Sequence, residues 1–142
     1  MTLPDPKSKT EVFNYIANWL LEQGCRSMSQ YEGMENEGCA YRGKKDDRIL
    51  ACAAGCLIPD DEYLPEFEGS KIYARLLPIN STKKLPGDVL ERKGYDNKFL
   101  DGLQSVHDSV EPSLWGGGLA AIAERHGIDF DPKPFEEKFP ST

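Results

Sequence analysis

Between Gly38 and Gly69 the chain reads GCAYRGKKDDRILACAAGCLIPDDEYLPEFEG, the one place where cysteines, aromatics, small residues and charges crowd together in an order no generic helix or strand requires. Two short apolar segments, Cys39 to Arg42 and Ile49 to Ala53, flank the polar turn GKKDDR, a pattern that reads as a β-hairpin. Ala53, Ala54 and Gly55 are small enough to let another element approach the backbone closely. Leu57 and Ile58 read as buried, Pro59 as the end of the segment, and PDDEY as a single helical turn with acids at its start. Leu64 to Gly69 reads as an exposed acidic loop.

Helical periodicity surrounds this stretch. Ser8 followed by Glu11 is a capping box. Val12, Phe13, Ile16, Ala17, Leu20 and Leu21 then recur at helical spacing, with Trp19 beside the stripe and Gly24 as the left-handed end. This predicts a helix over about residues 9 to 23. A second helix, from about residue 97 to 110, is predicted behind Asp96 as N-cap; Phe99, Leu100, Leu103, Val106 and Val110 form its apolar set, and His107 lies on the same side. A third starts at Pro112, carries Leu114, Trp115, Leu119, Ile122 and Ala123, and closes at Gly127 with Ile128 as the apolar contact of a Schellman-type ending. Gly116, Gly117 and Gly118 count against it, because each interior glycine costs about 1 kcal/mol relative to alanine.

Val89, Leu90 and Lys93 predict a brief helix before Gly94, while residues 72–79 fit a strand or a short helix equally well. Residues 1–7 read as an extended lead-in and 129–142 as an irregular C-terminal tail, pinned by Phe130, Phe135 and Phe139. There is no internal repeat or linker in the 142 residues. The expected fold is therefore one α+β domain, with three main helices packed on a small antiparallel β-hairpin or sheet.

A net charge of −7 argues against a nucleic-acid-binding face, which needs Lys and Arg to neutralise phosphates. A few local arginines can still hold a small anion. No apolar run approaches the ~18 residues of a membrane helix, and MTLPDPKSKT lacks the apolar core of a signal peptide. The expected location is the cytoplasm, with Cys25, Cys39, Cys52 and Cys56 as reduced thiols. Their separations of thirteen, twelve and three residues do not make a zinc knuckle, so they read as structural and no metal is expected.

Several reactive patterns fail. His107 and Asp108 spell HD, but a metal-dependent phosphohydrolase needs an upstream histidine, and the only other one, His126, lies downstream. There is no G-x-S-x-G, P-loop or G-x-G-x-x-G. The glycine run before LAAIAERHG reads as small-residue packing rather than a phosphate cradle. Asp60, Asp61, Glu62, Glu66 and Glu68 fit no calcium loop and read as a solvated rim.

What remains is a recognition surface. Tyr41, Arg42, Tyr63, Arg75, Gln104, His107 and Trp115 combine rings with multidentate polar groups, the chemistry a nucleotide-like ligand needs; they read equally well as core aromatics and surface arginines. In the binding reading Tyr41 and Trp115 stack, and Tyr63 is a further ligand-binding residue. Arg42 and Arg26 pair with phosphates, and His107 and Gln104 hydrogen-bond. Arg26 also reads simply as a cation after a helix C-terminus. No catalytic residue or cofactor is expected; the rival is a small nucleotide hydrolase with His107 as general base.

The strings GCAYRG, ACAAGCLIPDDEY with its trailing EG, and LQSVHD followed by Trp115 and IAERHG resemble a group of small tailed-bacteriophage and prophage proteins with no known mechanism to transfer. The likeness spans roughly residues 10 to 128. It implies a phage-encoded accessory protein in the bacterial cytoplasm, of the kind that counters host defence. One such class sequesters nucleotide immune signals, for example cyclic ADP-ribose derivatives. The alternative partner is a host protein, inhibited through the acidic surface from Asp60 to Glu68. Homo-oligomerisation stays open.

Overall fold

The first helix, α1 (Lys9–Gln23), forms where its capping signals place it. The Ser8 hydroxyl accepts from the Glu11 N–H at 3.2 Å, and Gly24 closes the helix at φ 78° with its N–H on the Leu20 carbonyl. The structure, a computed structural model, describes residues 8–25, 27, 40–45, 48–67 and 85–140. The lead-in, Arg26, Cys39, Arg75 and the ambiguous segment 72–79 lie outside the described residues. Among the described residues four further helices follow: α2 (Pro86–Arg92), α3 (Asn97–Ser109), α4 (Pro112–His126) and α5 (Lys133–Lys138). α4 ends as expected, with Gly127 at φ 66° and the Ile128 N–H on the Ala123 carbonyl at 2.8 Å.

The α+β expectation is overturned. β structure among the described residues is one antiparallel ladder, β1 (Gly43–Lys45) with β2 (Arg48–Leu50), three residues per strand and too small to form a layer. The helices pack on one another instead: α3 on α4, α4 on α5, and α1 on α5 and on a 3₁₀ turn at Gly55–Leu57. The ladder lies largely within the stretch read as a turn, and Ala51 to Ala53 leave it. Alanine and glycine pack poorly on a pleated surface, and the backbone groups of this segment find other partners, described below.

Two further expectations change. The loop from Leu64 contains a 3₁₀ turn, Pro65–Phe67, that buries Phe67 completely. The tail read as irregular holds α5 and belongs to the core. Phe130 meets Phe13 edge-on at 5.1 Å, Phe139 meets Trp115 at 5.7 Å, and Phe135 is buried. The glycine run admits these neighbours to α4. A Cβ on Gly116 would lie 3.0 Å from that of Phe135, and one on Gly118 would lie 3.1 Å from a Val106 methyl. The packing reading of that run holds, and the helix tolerates the glycines because close contact offsets their propensity cost.

The Asp96 cap gives a prediction. Its carboxylate accepts from the Lys98 and Phe99 N–H groups at 3.0 and 3.3 Å and faces Lys9 at 3.5 Å. Partial burial works against the charge, but those N–H groups and Lys9 outweigh it and hold the carboxyl below its usual range. Asp96→Ala should cost about 1 kcal/mol at neutral pH, and Asp96→Asn much less, since asparagine caps equally well. A depressed folded-state pKa stabilises above the unfolded value. The wild-type advantage over Asp96→Asn should therefore vanish as pH falls below about 4 in urea titrations.

Among the described residues, no helix is long and apolar enough to cross a membrane.

Candidate functional site

The segment from Ala51 to Ile58 is buried throughout yet has no sheet to satisfy its backbone. Side chains from distant elements do so instead, as buried peptide groups require. The Ala51 N–H donates to Gln23 Oε1 at 2.8 Å, and the Ala51 carbonyl accepts from the Trp19 indole at 3.1 Å. The Ala54 N–H donates to Gln104 Oε1 at 2.9 Å. Bonds within the segment serve the Cys56, Leu57 and Ile58 N–H groups, and Arg42 adds others: Nη1 donates to the Tyr41 and Gly55 carbonyls at 3.0 and 2.6 Å, and Nη2 to the Ile58 carbonyl and to Asp60 at 3.1 Å. The guanidinium also lies 5.1 Å from the Tyr63 ring centre. Gly55 permits this closure, since a Cβ there would sit 2.5 Å from the Tyr41 carbonyl oxygen.

Gln104 and His107 belong to a second arrangement, beneath α3. The Ser27 N–H donates to His107 Nε2 at 3.0 Å, which leaves Nδ1 as the protonated nitrogen, donating to Asp108 at 2.8 Å. The same carboxylate oxygen accepts from Gln104 Nε2 at 3.0 Å. His107 stacks on Trp115 at 5.7 Å, and both are fully buried. With both ring nitrogens engaged, His107 joins three chain segments. It is not poised to take a proton from a substrate.

The sequence-expected site residues therefore divide. Arg42 and Tyr63 line one cleft together; Tyr41 is buried behind it; Gln104, His107 and Trp115 lie in the core. The roles given to Trp115 as a stacking ring and to Arg42 as a phosphate partner do not survive this geometry. Trp115 is covered, and the Arg42 hydrogen-bonding edge is occupied by carbonyls and Asp60.

The cleft measures about 400 Å³. Trp19 of α1, Ile49 and Leu50 of β2, and Ala51 line it together with Arg42, Cys56, Ile58, Asp60 and Tyr63. A separate, smaller pocket of about 210 Å³ shares Trp19, Ile49 and Leu50 with it and is also lined by Glu22, Gln23 and Arg48. Ile49 is 72% exposed at the rim. Sequence reasoning missed Trp19, Ile49, Ile58 and Asp60 as cleft residues. The available signals were a tryptophan set beside, not within, the apolar stripe, and an isoleucine in the most charged stretch.

The thiols here are structural. Cys52 Sγ accepts from the Gly55 N–H at 3.3 Å, and the Cys56 thiol donates to the Ala53 carbonyl at 3.1 Å. Burial, then the adjacent Cys52 thiol, pushes Cys56 well above the ordinary thiol range. Iodoacetamide should alkylate half-exposed Cys25 in the native protein and reach Cys52 and Cys56 only in denaturant, read by peptide mapping. A raised folded-state pKa stabilises below the unfolded value, so stability should fall as pH rises past about 8.5. Cys56→Ala should flatten that fall. Among the described residues, no group of three or more His, Cys, Asp or Glu side chains could hold a metal ion.

Comparison with protein-family models, with curated proteins and with solved structures returns no match.

Proposed function

We propose that this chain is a non-enzymatic binding protein that sequesters a small nucleotide-derived molecule, with the ligand's ring seated between Trp19 and Tyr63. The cleft carries this reading. Its 400 Å³ lies within the usual range of small-molecule sites, and its walls are largely apolar and aromatic. The Trp19 indole is fixed by bonds to Gln23 and Ala51, so the platform is preorganised. The resemblance to phage proteins supplies the context, in which capture without turnover removes a host signal. His107 counts against the hydrolase reading, because it is buried and both its ring nitrogens are bonded.

Native mass spectrometry of the protein purified from bacterial cytosol, followed by mass analysis after heat release, tests the proposal. A bound molecule of nucleotide mass, released intact and absent from Ile49→Glu, is the expected result. Ile49 is exposed, so that variant should keep its thermal midpoint. A ligand converted on release, or retained by Ile49→Glu, would defeat the reading.

A host-protein partner is the second reading. Charge mimicry by the Asp60 to Glu68 segment has weaker support. Asp60 pairs with Arg42, and Glu62 pairs with Arg92 and with Lys93.

A further inference from the structure

Resting on that reading of the cleft, we infer that it recognises the base and ribose of its ligand and takes little affinity from phosphate. The described arginine that lines it, Arg42, is already engaged. Arg42 donates to three backbone carbonyls and to Asp60, whose side chain is 97% exposed at the mouth. Releasing it to a phosphate would take the guanidinium off all three carbonyls. In a neighbouring pocket one terminal nitrogen of Arg48 donates to the Gln23 carbonyl at 2.9 Å, and Glu22 also lines that pocket.

A phosphate leaving the cleft past Asp60 therefore meets a carboxylate, against a net charge of −7. The groups left for a ligand are of another kind. The Trp19 face and the Ile49, Leu50 and Ile58 side chains suit a planar ring, and the Asp60 carboxylate suits a hydroxyl donor such as a ribose. Nucleosides are thus the ligand class, and any phosphates would project into solvent.

The test is a calorimetric titration of the full chain with four ribonucleosides and their 5′-mono- and triphosphates, at about 50 and about 500 mM salt. At least one nucleoside should bind. Its phosphorylated forms should bind no more than about threefold tighter, with little salt dependence. Phosphates that tighten binding tenfold or more at low salt, with the gain lost at high salt, would overturn this inference and leave the sequestration reading standing. Failure of all twelve compounds to bind would overturn both. Binding that survives Ile49→Glu would overturn the assignment to this cleft.

Discussion

Gly55→Ala should lower the unfolding free energy by about 3 kcal/mol, the upper end for overpacking a core. The new methyl would lie 2.5 Å from the Tyr41 carbonyl oxygen and 3.1 Å from the Tyr41 Cα and carbonyl carbon. All three are backbone atoms, so no side-chain rotation relieves the contact. Moving the Tyr41 peptide would also pull its carbonyl and that of Gly55 off Arg42, coupling the steric cost to lost hydrogen bonds. Gly117→Ala supplies the contrast. A Cβ there has nothing within 4 Å, in the interior of α4. Helix propensity alone then acts, and stability should rise by about 0.5–1 kcal/mol. Urea denaturation of the two variants should give opposite signs. A Gly55→Ala midpoint equal to wild type would mean the central segment does not close on Tyr41.

What could be read from the sequence was what local chemistry decides. Ser8, Gly24, Asp96, Pro112 and Gly127 mark helix ends through bonds spanning a few residues, and those ends lie where the residues place them. The close approach at Gly55 was also legible, as a run of small residues with no helical or strand purpose. The architecture was not. The distant partners of the Ala51 to Ile58 backbone include Trp19, Gln23, Arg42 and Gln104, up to 50 positions away and with no period linking them. A polar side chain that completes a distant backbone looks, in sequence, like one waiting for a ligand. That ambiguity put Gln104, His107 and Arg42 in a binding site. It also hid Trp19, whose indole N–H serves the Ala51 carbonyl while its ring lines the cleft.

Arg42→Ala should cost about 4 kcal/mol, more than any surface cation. The Arg42 side chain is 15% exposed and donates to the carbonyls of Tyr41, Gly55 and Ile58. Hydrogen bonds to a charged group contribute about 1.5–3 kcal/mol each, and acceptors stranded in a buried segment carry their own desolvation cost. The sum is discounted because the segment can relax. Arg42→Lys should recover little of the loss, since one ammonium cannot span the carbonyls that the planar fork reaches with both terminal nitrogens. Asp60→Ala, by contrast, removes an acid that is 97% exposed and should leave stability within about 0.5 kcal/mol of wild type. A cation held ready for a ligand's phosphate would behave in the reverse way, lost from binding and unmissed by the fold. An Arg42→Ala protein that keeps its urea midpoint would show that the clamp does not hold the segment, and would return Arg42 to the ligand.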